Sequence, residues 1–435
     1  MNKCLLLCLF FISHAYQLTA QELTLSGVIT DSSDGKVVPF AHVSVTGEMT
    51  GTIANDSGEF EIKVPDGTNS IVFTAIGYKE YHLKVTTSES ELVISLDLWS
   101  NQLEEAIVMP RSAKEYIMEA IKRHSSNITH EPFTTQSYFS SSNIMENKGL
   151  KNVKTNEAVF LTFYPNYADT SFHNQNRLLL HQFSDNGVEV DVSMIDNKKV
   201  QKKKDKMEMK QAKRDAKNAE GEDETSEVND EPTEVNAFAG GKGPDFVLSA
   251  FQNISGLLFL NKSFIEDIEF SIGSPSYYGD RKLITIDFKN EKPIMLMFRF
   301  DGTFYLDSET LAIVAIDYTE NVKIPAIFRP LIKAKTGVNI VGFENEILIQ
   351  NQLHDSLWFP QQIVYNSKVN LKQGKAFRKD EHLYLSSKHI LSVEKVDTET
   401  AEEIIENQQF DGSKKYEEQL FPLENLNWDD VNVVN

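Results

Sequence analysis

The chain has 435 residues, of which 40% are hydrophobic, 10% aromatic and 25% charged, with a formal net charge of −21 and a mean hydropathy of −0.34. That length allows two or three globular units, and the aromatic content excludes a disordered chain. Strong acidity disfavours a dedicated nucleic-acid binder, which needs a basic footprint. Beyond the first residues no long apolar run exists that could form a spanning helix.

Residues 1–20 read as a signal peptide. Lys3 is the charged start, Cys4 to Ile12 the apolar stretch, and Leu18-Thr19-Ala20 the small-residue cleavage signal before Gln21. Cys4 and Cys8 are the chain's two cysteines. Both leave with the signal, so the mature protein is expected to have no disulfide, thiol nucleophile or thiolate metal site.

From Leu23 to Leu98 the pattern is β. Phe60, Ile62 and Val64 alternate with Glu59, Glu61 and Lys63, and Ile71, Phe73 and Ala75 repeat the period, as do Leu92, Ile94, Leu96 and Leu98. Asp34-Gly35, Asp56-Ser57-Gly58, Asp66-Gly67 and Gly77 punctuate the runs. About seven short strands in this span predict a β-sandwich. Gly27-Val28-Ile29, Asp31, Pro39-Phe40-Ala41, Gly51-Thr52, Asn55 to Phe60 and Ile76-Gly77-Tyr78 follow one another in an order that resembles the carboxypeptidase regulatory-like domain, a transthyretin-like sandwich of exported bacterial proteins. The resemblance implies an accessory module without peptidase activity. Leu103-Glu104-Glu105-Ala106-Ile107-Val108 is similar to the segment that follows this sandwich in TonB-dependent receptors. A receptor's membrane barrel does not fit in the remaining length, so a linker strand is the reading.

Residues 99–131 hold the linker and one helix. Ser112-Ala113-Lys114-Glu115 forms a capping box, and Ala113, Tyr116, Ile117, Ala120 and Ile121 make an apolar stripe. From Pro132 to about residue 392 longer strands follow, including Ala158–Tyr164, Arg177–Phe183, Lys282–Lys289, Ile294–Phe300, Thr303–Leu306 and Leu311–Tyr318. Asp301-Gly302 is expected to be a hairpin turn, and Pro244 to Ile254 a second helix. Asp301 to Asp307 with Thr310 to Val314, and Leu357-Trp358-Phe359-Pro360, are similar to the strand-turn-strand units of lipoprotein-carrier-like curved sheets. The fold class is thus mainly β: a seven-stranded sandwich, then a larger curved antiparallel sheet, half-barrel-like, with two short helices.

The block 197–243 breaks this sheet. Residues 197–217 carry ten basic and three acidic side chains, and 218–234 carry eight acids and no base, without an apolar stripe. A disordered, self-neutralising insertion is expected, and Gly240 to Gly243 is read as a hinge. The tail 393–435 is acidic, but Leu420, Phe421, Leu423, Leu426 and Trp428 indicate that part of it docks.

Chemistry is sparse. The mature histidines (42, 82, 124, 130, 173, 181, 354, 382 and 389) form no H-E-x-x-H, and no G-x-S-x-G occurs. His42 and His82 are expected to be surface or edge histidines. Glu104/Glu105, Glu266/Asp267 and Asp429/Asp430 are adjacent only in sequence. Asp31, Asp34, Asn55 and Asp56 could hold calcium but lack its loop spacing and equally fit turns. No catalytic, cofactor-binding or metal-ligating residue is assigned, and no cofactor is expected. The reading is a non-catalytic exported binding or assembly protein of the Gram-negative envelope, in the periplasm or on the periplasmic side of the outer membrane. Its partner is an envelope protein or a lipid-like or hydrophobic ligand, with no nucleic acid and no transmembrane segment in the mature chain. The alternative is an envelope hydrolase with Asp, Glu and His residues assembled in the second domain. Apolar residues on both faces of 294–300 leave two options: an apolar groove on the sheet, or a tail from Leu420 to Trp428 that fills it.

Overall fold

The computed structural model describes residues 23–65, 67–85, 91–99, 110–169, 173–191, 243–245, 247–248, 254–336, 339–371, 383–412, 414–423 and 426–434. The signal peptide, the linker strand and nearly all of the charged block lie outside these residues.

Seven strands make the sandwich: β1 (Leu23–Asp31), β2 (His42–Val45), β3 (Gly51–Ile53), β4 (Glu59–Val64), β5 (Ser70–Thr74), β6 (Tyr81–Lys84) and β7 (Leu92–Leu96). They form two sheets, ordered β4-β1-β7 and β3-β2-β5-β6, with β1 and β7 parallel. The alternation works as expected. Phe60, Ile62 and Val64 point inward with Ile71, Phe73, Ile94 and Leu96, and the rings of Phe60 and Phe73 meet edge to face at 5.2 Å. Gly58 has φ +73°, and a Cβ there would lie 2.7 Å from the Ile29 carbonyl oxygen, so only glycine fits this turn.

Helix α1 (Ala113–Asn127) starts at the expected box: Glu115 N–H donates to Ser112 Oγ at 3.3 Å and Ser112 N–H to the Glu115 carboxylate at 2.7 Å. Its stripe of Ala113, Tyr116, Ile117 and Ala120 is buried.

Eleven strands then form one antiparallel sheet: β8 (Phe133–Asn147), β9 (Leu150–Tyr164), β10 (Gln175–Asp185), β11 (Glu269–Ile272), β12 (Ser276–Tyr278), β13 (Arg281–Lys289), β14 (Phe298–Asp307), β15 (Ile313–Lys323), β16 (Ile340–His354), β17 (Leu357–Leu371) and β18 (Leu383–Asp397). The order is β10-β9-β8-β18-β17-β16-β15-β14-β13-β11, with β12 also paired to β13. The last strand joins the first hairpin, yet the sheet stays open between β10 and β11.

Three expectations fail here. Asp301-Gly302 is not a hairpin turn; it lies inside β14, with Gly302 between Phe288 and Tyr318. A Cβ on Gly302 would stand 2.4 Å from the Tyr318 Cβ, so this glycine serves close strand approach rather than a turn. The reversal instead falls at 293–297, where Ile294 N–H donates to the Phe298 carbonyl at 2.9 Å. Consequently 294–297 is no strand, and its apolar residues do not line two sheet faces. His42 is buried rather than at the surface, and burial lowers its pKa to about 4. His82 is exposed and sits 2.9 Å from Glu80.

The helix expected from Pro244 shows one turn, with Leu248 N–H donating to the Pro244 carbonyl at 2.9 Å; most of its remainder lies outside the described residues. A helix not anticipated, α2 (Arg329–Thr336), follows β15. Gly243, read as a hinge, is a packing position, because a Cβ there would come within 2.2 Å of the Phe410 ring.

Candidate functional site

The large sheet is buried on both faces, and alternate residues of one strand serve different covers. Phe139, Phe160, Ile363 and Leu391 face α1 and the segment 254–268, whereas Tyr138, Val159, Val364 and Ile390 face the sandwich and the end of the tail. The first face is aromatic. Phe259 sits at its centre, 4.5 Å from the ring of Phe288, 5.0 Å from Phe300 and 5.3 Å from Tyr318. Its backbone belongs to a 3-10 turn, Leu258–Leu260, between similar turns at Ile254–Gly256 and Ile265–Asp267. Lys114 on α1 ties this segment down through Glu266 at 2.6 Å.

The tail covers the rest. Phe410 and Tyr416 pack on Phe160, and Tyr416 stacks on His181 at 4.4 Å. Phe421 N–H donates to the Leu178 carbonyl at 2.9 Å, so this stretch caps edge strand β10. The chain then turns to the other face, where Leu426, Trp428, Val431 and Val434 meet Tyr138 and Val159. The tail therefore docks, through Phe410, Tyr416, Val431 and Val434 as well as the expected Leu426 and Trp428; Leu420 and Leu423, also expected in the plug, are exposed.

One carboxylate is buried beneath this cover and a second lies at the rim of a cavity. Glu394 accepts from Asn432 N–H at 2.6 Å and from Gln136 at 3.2 Å, and burial pushes its pKa up to about 7, opposed by Lys63. Lys63 Nζ donates to the Val431 carbonyl at 2.7 Å, so sandwich, sheet and tail meet at this point. Asp245 is exposed as a residue, but its carboxylate accepts from Asn176 and is desolvated by the surrounding chain, which raises its pKa to about 6. It lines a cavity of about 300 Å³ with His173, Gln175, Asn176, Gln409 and Phe410.

The calcium candidates resolve into turns. Asp31 accepts from Ser33 N–H at 2.7 Å and from the Tyr78 hydroxyl at 3.0 Å, and Asn55 accepts from Ser57 and Glu59 N–H groups, each at 2.9 Å. Asp56 instead pairs with Lys388 of the large sheet. Asp430 caps Asn427 N–H at 2.9 Å, while Glu104 and Glu105 lie outside the described residues. Among the described residues no three His, Cys, Asp or Glu side chains gather as a metal site would require. Among the described residues lining the cavity, the acid is Asp245 and the histidine is His173. Neither was singled out from sequence, because their meeting depends on the tail.

Residues 25–108 match the model of the CarboxypepD_reg-like domain. The amino-terminal sandwich is that domain. The chain is also 31% identical over 103 residues to TonB-dependent receptor P3 of Formosa agariphila, a match spanning 24% of this chain and 10% of the receptor. Among solved structures, lipovitellin, studied for its lipid–protein interactions, is similar at a TM-score of 0.30 and 8% identity, covering 65% of this chain and 27% of that one. A LolA superfamily protein from Nitrosomonas europaea is similar at a TM-score of 0.18 and 6% identity, covering 67% and 94%. Likeness of that degree leaves function to be read from the chain's own geometry. Among the described residues no helix is long and apolar enough to cross a membrane.

Proposed function

We propose that this chain is a non-catalytic binding or assembly protein of the Gram-negative envelope, exported by residues 1–20, whose curved sheet holds a lipid-like or hydrophobic ligand under a displaceable cover. The observation that carries the reading is the nature of that cover. A wide aromatic sheet face is closed largely by irregular chain: Phe259 on a 3-10 turn, and Phe410 and Tyr416 on a tail whose described residues make short 3-10 turns. Such segments open at lower free energy than the strands beneath them, because few backbone hydrogen bonds are lost. Opening would present a concave apolar surface of the kind ligand sites use. The periplasmic side of the outer membrane is supported by the signal-like start and by the receptor similarity of the sandwich region.

The test is titration of an environment-sensitive apolar dye or a fluorescent fatty acid into the full mature chain and into a Phe410→Ala/Tyr416→Ala variant. Saturable binding that tightens in the variant is expected. No saturable binding to either folded protein would end the ligand reading.

A further inference from the structure

One end of the large sheet carries exposed apolar side chains that no described residue covers. The reversal 293–297 precedes β14, and 324–331 follows β15; Phe298 pairs with Val322, so both segments leave adjacent strands at the same end. Lys323 N–H donates to the Met297 carbonyl at 3.0 Å and joins them. There Met295, Leu296, Ile327, Phe328 and Leu331 are 56%, 73%, 78%, 37% and 59% exposed. Ile327 and Leu296 are the two most exposed large hydrophobic residues described. Scattered single apolar residues on a surface are ordinary, but five at one tip are not.

The tip is built to project. Met295 and Leu296 hold φ values of +50° and +63°, a left-handed conformation that residues with side chains rarely adopt in succession. Ile332 anchors α2 by packing inward with Ile324, Ile340 and Val369, which leaves Leu331 and Phe328 outside. The charge around the tip is opposite to that of the molecule. Between Glu320 and Glu344 the chain carries Lys323, Arg329, Lys333 and Lys335 and no acid, within a protein of net charge −21. Lys292, Arg299 and one acid, Glu291, flank the reversal and are exposed, so the tip as a whole stays positive. Among the described residues, Lys323, Arg329 and Lys333 stand in no ion pair, and Arg329 donates only to the Ile324 carbonyl at 2.9 Å.

We infer that this tip docks on an anionic phospholipid surface, with Leu296, Ile327 and Leu331 inserted at the headgroup boundary and Lys323, Arg329 and Lys333 on lipid phosphates. Apolar side chains ringed by cations are what interfacial anchors present, and the acidic remainder of the protein would be held off the same surface. The inference stands apart from the ligand reading, since the tip lies outside the covered aromatic face.

The experiment is co-sedimentation of the full mature chain with phosphatidylcholine vesicles, with and without phosphatidylglycerol. Binding is expected only to the anionic vesicles, weakening at high salt. Leu296→Glu/Ile327→Glu should lower the partition at least about tenfold, since removing two inserted aliphatic side chains forfeits their burial. Lys323→Gln/Arg329→Gln should lower it while flattening the salt dependence. Leu296, Ile327 and Lys323 are exposed and Arg329 is half-buried against the Ile324 carbonyl, so unchanged thermal melting is the check that the variants remain folded. Equal binding to neutral vesicles, or binding untouched by the apolar double variant, would overturn the inference. Absence of vesicle binding together with a dimer that Leu296→Glu/Ile327→Glu dissociates would also overturn it, making the tip a contact between copies.

Discussion

The sandwich and the large sheet are both β structures, yet they solve burial in different ways. In the sandwich, alternating strands turn one face inward, and the core residues all come from Leu23–Leu96. The large sheet has strands of up to fifteen residues with both faces buried, and its covers come from far away: α1, 254–268, the sandwich and the last residues of the tail. Period-two alternation suffices to specify the first arrangement. The second needs partners that no local pattern names.

The largest expected effect contrasts the two cores. Phe60→Ala and Phe259→Ala should each destabilise by about 3–5 kcal/mol, the usual range for a buried phenylalanine. They should differ in reach. Loss of Phe60 should raise amide hydrogen exchange within β1–β7 only, whereas loss of Phe259 should raise it across α1, β13 and β14. Uniform exchange in both variants would show that sandwich and sheet unfold as one unit, and the contrast would fail.

Next comes Gly302→Val. Valine favours strands, but the new side chain would meet Tyr318 Cβ and the Asp317 carbonyl, at 2.4 and 2.5 Å from the ideal Cβ. A loss of about 1–3 kcal/mol in chemical denaturation is expected from overpacking. A neutral or stabilising result would mean that β14 and β15 separate without penalty.

A smaller effect tests the junction between the two regions. The carboxyl of Glu394 is raised from 4.5 to about 7, so the folded protein keeps this proton where the unfolded chain has released it. Its contribution to stability is present below about pH 4.5 and is lost as pH rises through about 7. Glu394→Gln, which stays neutral, should flatten that fall in the melting temperature and be relatively most stable above pH 7. An unchanged pH profile would show that Glu394 is not the titrating group. Smallest is Ser112→Ala, which removes the helix cap of α1 and should cost about 1 kcal/mol, read from the denaturation midpoint.

Legibility followed this same division. The capping box at Ser112 and Glu115 was readable because it acts over three residues. The turn at Gly58 was readable for a similar reason. Asp301-Gly302 misled, because a short-range turn signal cannot reveal that Tyr318 pairs directly opposite the glycine on the neighbouring strand. His42 misled likewise: its strand is at the surface of an isolated sandwich but not when β3 lies against β18. Of the tail residues that looked like anchors by composition, Leu426 and Trp428 pack while Leu420 and Leu423 stay exposed, and Phe410 and Tyr416 are anchors because Phe160 and His181 await them. The apolar-basic tip could have been noticed from the unopposed bases between Glu320 and Glu344, but its exposure depends on which way α2 turns.

Sequence alone determined the β class, the sandwich with its inward-facing residues, the capped helix and the antiparallel character of the second sheet. Those properties rest on alternation, turn residues and capping, which act between neighbours in the chain. Tertiary structure decided which face of each long strand meets which cover, that the tail wraps the β10 edge, that Glu394 is sealed against Asn432, and that Leu296 and Ile327 are left outside. Each of these depends on surfaces brought together from residues tens to hundreds of positions apart. Their pairing is set by shape and burial across the whole fold, not by any signal that one segment carries by itself.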